Sequence, residues 1–178
     1  PTPVIRRPRV THKLLWLPDI EIVRIGGDWP DDAVIAELAR RVIGPAIEVA
    51  ELDMHAEAEL CLVLSHDAHV RELNRDFRGK DKPTDVLSFP AGDGFHPADP
   101  LIGELVFSAE TVARDAAEDG RSFSDHFIHL VLHGFLHLFG YDHETDEDAE
   151  VMERLEAEVL SRLGIADPYK DHPLATET

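Results

Sequence analysis

The hydrophobic pattern along the chain alternates between two periods. Residues 20–25 switch between apolar and polar side chains and end at Gly26-Gly27, which predicts a strand closed by a turn. Residues 31–52 place Val34, Ile35, Leu38, Val42 and Ile43 at helical spacing, with Pro45 expected to kink or divide the helix. Residues 58–65 read as a second strand, apolar on both faces. A short helix over 67–77 follows, with Val70, Leu73 and Phe77 on one side. Pro83-Thr84 starts a turn into a strand over 86–89 that Pro90 stops. Residues 91–100, rich in Gly, Asp and Pro, predict a mobile loop.

The second half continues the alternation. Residues 102–107 predict a strand and 108–118 a helix that Gly120 ends. Ser122 or Ser124 can cap the next helix, which runs to about Phe139 and stops at Gly140. Its apolar residues point in nearly every direction, so it is expected at the centre of the fold. A last amphipathic helix, 146–163, turns Val151, Met152, Leu155, Val159 and Leu160 inward. Interspersed strands and helices predict an α+β domain: a small mixed sheet of about four strands packed by helices around a buried, histidine-bearing one. We read 1–18 as an N-terminal extension, 19–166 as a single domain, and 167–178 as a tail.

Length and composition narrow the setting. With 178 residues, 43% of them hydrophobic, the chain can build one proper core. No apolar run approaches the roughly 20 residues of a membrane span, and the basic start lacks the apolar stretch of a secretory signal. The one cysteine, Cys61, excludes an internal disulfide, so a cytoplasmic protein is expected. The net charge of −19 repels polyanions and argues against a general nucleic-acid binder. The cations are nevertheless clustered: Arg6, Arg7, Arg9 and Lys13 at the start, then Arg71, Arg75, Arg78, Lys80 and Lys82 in mid-chain. The first group reads as a solvated face.

The candidate chemistry lies in the central helix. His133 and His137, four residues apart, rise only about 6 Å along the axis, so both rings can reach one ion. Gly140 lets the chain turn back, and His143 can supply a third ligand. Three neutral imidazoles suit zinc, one ion per chain, and leave a position for water, as catalytic rather than structural sites do. His129 lies one turn earlier, but 129, 133 and 137 span about 12 Å and cannot share an ion. Only the later pair adjoins the turn that returns His143, which leaves His129 a packing or supporting role. Histidines on an apolar helix are often just hydrogen-bonded core residues; the third one past a glycine-ended helix favours metal. Gly134 stands where H-E-x-x-H proteases carry their glutamate base, which disfavours ordinary peptidase chemistry.

His133-Gly-Phe-Leu-His137-Leu-Phe-Gly-Tyr-Asp-His143 resembles the signature of the YbeY family of rRNA-maturation endoribonucleases. A second block resembles that family too: Leu73-Asn74, Phe77-Arg78-Gly79-Lys80-Asp81, then Pro83-Thr84-Asp85-Val86-Leu87-Ser88-Phe89. A weaker third match runs from Ile102 through Gly103 and Glu104 to Ser108. The resemblance spans about residues 20–163. It implies a single-strand-selective, metal-dependent RNase of small-subunit ribosomal RNA maturation and quality control, in a bacterial cytoplasm. Its partners would be ribosomal RNA and the small subunit or its assembly proteins, with no membrane and no DNA. It also implies His133, His137 and His143 as metal ligands and Arg78 as the arginine important for activity.

Arg78 can grip phosphate oxygens bidentately, and Lys80 adds positive potential at the same mouth. The alternative for Arg78 is a structural ion pair, with Asp85 a candidate partner. Asn74, Thr84 and Ser88 read equally well as turn-holding residues. Glu104 stands where relatives commonly have aspartate, and Asp85, Glu104 and Asp142 all remain open as general base. Two other classes stay in view: an assembly factor with a mainly structural metal, and a metal-dependent hydrolase of a non-RNA substrate.

Overall fold

The computed structural model describes residues 17–170 and the backbone of Val4–Ile5. The basic group Arg6, Arg7, Arg9 and Lys13 lies outside the described residues. In chain order the elements are β1 (Val4–Ile5), β2 (Asp19–Arg24), α1 (Asp32–Val49), β3 (Met54–His55), β4 (Glu59–Ser65) and α2 (Asp67–Arg78). Then follow β5 (Val86–Pro90), β6 (Leu101–Ser108), α3 (Ala109–Glu118), α4 (Phe123–Leu138) and α5 (Asp146–Arg162). This is an α+β fold with a mixed sheet, as the alternation of periods predicts.

The main sheet has the order β2-β4-β6-β5. β2, β4 and β6 are parallel, and β5 runs antiparallel to β6. β4 and β6 are interior strands with apolar runs on both faces, as strands covered on two sides require. The register slips between Glu59 and Leu60, opposite Leu101 and Gly103. Gly103 carries φ +149°, and a Cβ there would stand 2.5 Å from the Phe89 carbonyl oxygen, so only glycine fits. A separate two-residue ladder joins β1 to β3 and is too short to announce itself in the sequence.

One face of the sheet carries the principal core, centred on α4. Phe127, Val131, Leu132, Phe135 and Leu136 of that helix have no exposed surface, and it packs on α1, α3, α5, β5 and β6. Its start is capped as expected: the Asp125 N–H donates to Ser122 Oγ at 3.1 Å. The other face is covered by α2, where Val70 joins Val63, Leu87 and Val106.

Several expectations need correction. α1 runs through Pro45 undivided. The proline removes one backbone donor, and burial of Ile43, Ala46 and Ile47 on either side keeps the helix whole. Phe77 is 69% exposed instead of turned inward, its ring lying edge-on to Phe89 at 5.3 Å. Val34 and Val151 also face outward. On α5 the inward position falls to Glu156, which is fully buried.

Candidate metal centre

His133 and His137 lie half-buried on the last two turns of α4, and exposed His143 returns over them from the loop beyond Gly140. Gly140 takes φ +96°, the left-handed conformation that such a reversal needs. One ring nitrogen from each of the three histidines lies within 4.8 Å of the other two. The rings of His137 and His143 have centroids 5.0 Å apart, and those of His133 and His143 5.6 Å.

The outer nitrogens decide what the inner ones can do. His137 Nδ1 lies 2.8 Å from the Tyr141 carbonyl oxygen. A carbonyl only accepts, so Nδ1 carries the proton and Nε2 of the neutral ring a lone pair. His133 Nδ1 lies 2.7 Å from Glu156 Oε1, and an ionised carboxylate likewise only accepts. With both rings neutral, the two Nε2 atoms face each other at 3.0 Å, lone pair to lone pair. That contact is repulsive unless a positive centre lies beside both. Burial, then the repulsion a protonated His133 would exert, holds His137 down at about 4, with His143 and Arg78 adding to the effect against the Tyr141 hydrogen bond. His137 is thus neutral at physiological pH, ready to coordinate. Three imidazoles with at least two converging lone pairs are a donor set suited to zinc or a similar borderline ion.

Glu156 is the hub behind this arrangement, and the sequence reading missed it. Burial alone would raise its carboxyl, but the hydrogen bonds and charges of His129 and His133 hold it at about 2. Its second oxygen accepts from the Tyr169 hydroxyl at 2.6 Å. Tyr169, whose own ionisation is pushed up by burial and by the Glu156 charge, remains a donor. His129 turns to this hub as well, its Nε2 lying 3.5 Å from Glu156 Oε1 and 3.3 Å from the Tyr169 hydroxyl. It sits beside the carboxylate that orients His133, in keeping with the supporting role expected of it. One signal was available: Glu156 interrupts the stripe Met152, Val159, Leu160, and an acid at a core position needs buried partners.

Gly134 is a packing residue. A Cβ there would come within 2.8 Å of Leu105 Cδ2 and 3.2 Å of Ser88 Oγ, because α4 rests directly on β5 and β6. Ser88 Oγ donates to the Gly134 carbonyl at 3.2 Å across that contact. A glutamate side chain has no room at this position.

Arg78 ends α2 and is exposed, with no hydrogen-bond or ion-pair partner among the described residues. It is close enough for its charge to depress His137. The ion pair with Asp85 is absent, since Asp85 lies with Asp115 and His126 instead. Arg71 is engaged by Asp81 through two bonds of 2.8 and 3.2 Å, and Arg75 by Asp76 at 3.2 Å. Of the mid-chain cations, then, Arg78, Lys80 and Lys82 lack a described acidic partner. The loop bearing the two lysines is held by buried Asn74, whose Nδ2 donates to the Lys82 carbonyl at 2.8 Å. Gly79, at φ +69°, makes the turn that starts it.

The general-base candidates separate by position. Leu105 faces α4, so its neighbour Glu104 points to the opposite face, where its charge helps raise Cys61 after burial. Asp142 Oδ1 accepts the Glu144 N–H at 3.3 Å, inside the turn that presents His143. Asp85 belongs to the cleft described below.

The chain is similar to several known proteins. The family model for Endoribonuclease YbeY matches residues 30–164. A protein of Parvibaculum lavamentivorans named Endoribonuclease YbeY is 47% identical over 165 residues, covering 87% of either chain. One of the same name from a Chelativorans species is 50% identical over 145 residues, covering 80% of this chain and 88% of that one. A solution structure from Thermotoga maritima superposes with a TM-score of 0.50 at 25% identity, over 89% of this chain and 96% of the other. With matches of this extent, the chain belongs to the YbeY endoribonuclease family.

Proposed function

We propose that this protein is a metal-dependent endoribonuclease that cuts single-stranded RNA during maturation and quality control of small-subunit ribosomal RNA. The observation that carries the reading is the pair of Nε2 atoms facing each other at 3.0 Å, completed by His143 and overlooked by an unpaired arginine. His133, His137 and His143 would hold one zinc ion, and residues 19–166 would form the single catalytic domain. A bound divalent ion would polarise a phosphoryl oxygen. Arg78 binds phosphate oxygens through its planar fork and stabilises the charge that builds as the ester breaks. Lys80 adds positive potential beside it, and exposed Phe77 offers a ring on which an unpaired base can stack. Glu156 keeps the His133 ring oriented and its Nδ1 protonated.

The acidity of the chain fits a restricted contact with RNA. Arg71 and Arg75 are engaged by aspartates, so the local attraction rests on Arg78, Lys80 and Lys82. The small subunit or its assembly proteins would supply the rest, their basic surfaces meeting the acidic body in the cytoplasm. No helix among the described residues is long and apolar enough to cross a membrane.

The test is cleavage of a labelled small-subunit rRNA precursor by the zinc-loaded protein beside its His133→Ala and Arg78→Ala variants, both checked for folding. Cleavage by the wild type, lost in both variants, is the expected result. No cleavage by the zinc-loaded wild type would overturn the reading in favour of an assembly factor.

A further inference from the structure

His126, in the first turn of α4, is 4% exposed, and no described protein group bonds either of its ring nitrogens. Its Nε2 lies 3.8 Å from Asp85 Oδ2, too far for a hydrogen bond. Asp115 of α3 brings a second carboxylate, and one donor atom from each of the three residues lies within 4.8 Å of the others. They line a cleft of about 340 Å3 to which Glu118, Asp119 and Glu153 also contribute. Among the described residues Arg121 is the one guanidinium on its walls, its Nη1 3.3 Å from His129 Nδ1 and its Nη2 buried without a hydrogen-bond partner.

Among the described residues no arginine or lysine pairs with either carboxylate. Burial raises Asp85, and the charge and hydrogen bond of Asp115 raise it further, so the two carboxylates repel when both are ionised. A shared proton would relieve that repulsion but leave His126 unbonded. His126 is no proton source, because burial and the neighbouring His129 and Arg121 lower it to about 4. A neutral imidazole lone pair and two carboxylates converging on one point satisfy a cation together. Two ligands at the usual ~2.1 Å from an ion can stand as far as about 4.2 Å apart, which covers the His126–Asp85 spacing.

We propose that Asp85, Asp115 and His126 form a second divalent-cation site, distinct from the three imidazoles, with a mixed oxygen and nitrogen donor set open to Mn2+. Two carboxylates make the set harder than three imidazoles, so it favours Mn2+ more than the histidine site does. A dication there also cancels the two carboxylate charges at the head of β5 and on α3. The proposal does not depend on the function argued above.

The experiment is titration of Mn2+ into the protein carrying one equivalent of Zn2+, following free Mn2+ by electron paramagnetic resonance. We expect one Mn2+ bound per chain, and binding weaker by about tenfold or more in Asp115→Asn, as loss of a ligand demands. Asp115 is only half-buried, so this isosteric change should leave the circular dichroism unaltered. His137→Ala, titrated without added Zn2+, should keep the Mn2+ uptake, which separates this site from the histidine centre. Absence of Mn2+ uptake by the wild type would overturn the proposal. So would uptake that Asp115→Asn leaves intact.

Discussion

The two ends of α4 use the same side chain in opposite ways. At its C-terminal end, His133 and His137 have their outer nitrogens held by Glu156 and the Tyr141 carbonyl, which aims both inner nitrogens at one point. At its N-terminal end, His126 has neither nitrogen held and lies beside two carboxylates. His129, between them, has the spacing of a ligand but is drawn aside by Glu156, Tyr169 and Arg121. Spacing on a helix brings imidazoles within reach of one another. The acceptor behind each ring decides whether they converge.

That contrast can be broken in graded steps. The largest effect is expected from His143→Ala set against His129→Ala. RNA cleavage should fall on the order of 1,000-fold in the first and by less than about tenfold in the second. Equal losses in the two rates would erase the distinction. Glu156→Gln comes next. Removing the charge behind His133 should weaken zinc binding by roughly 10–100-fold in a chelator competition, while Asp115→Asn leaves that affinity unchanged. Tyr169→Phe is milder, because Glu156 keeps its histidine partners. It should cost roughly 2 kcal/mol in denaturant unfolding, the range of a hydrogen bond to a charged group, with zinc affinity lowered only a few-fold. Arg71→Ala should matter least. Its exposed pair with Asp81 predicts cleavage within about twofold of wild type, against a large loss in Arg78→Ala.

Much of this was legible before any coordinates. Period-two and period-3.6 patterns located the four strands of the main sheet and the five helices among the described residues, because each element buries one face or both. The three histidines were legible because the chemistry is local: two on one helix and a third just past a glycine. What escaped was set by tertiary contact. Glu156 lies 23 residues from His133 and only the packing of α5 on α4 joins them. Asp115 and Asp85 are brought to His126 from α3 and the head of β5. Phe77 has the right spacing for α2's inner face, yet that face is already filled by Val70 and Leu73 and the ring lies over Phe89 at the rim. Pro45 misled because a proline's local cost was outweighed by burial on either side of it.

Gly134 has a consequence that reaches beyond its own neighbourhood. It lets α4 rest on β5, and the loop leading into β5 starts at Gly79, directly after Arg78. The distance from the imidazoles to that guanidinium is therefore gauged by a side chain that is not there. Any residue larger than glycine would act as a wedge between α4 and the sheet, widening the span from the histidines to the arginine without removing any proposed catalytic group. On the function proposed above, a chain so altered would keep its donors for metal and for phosphate but hold them too far apart to meet at one phosphate.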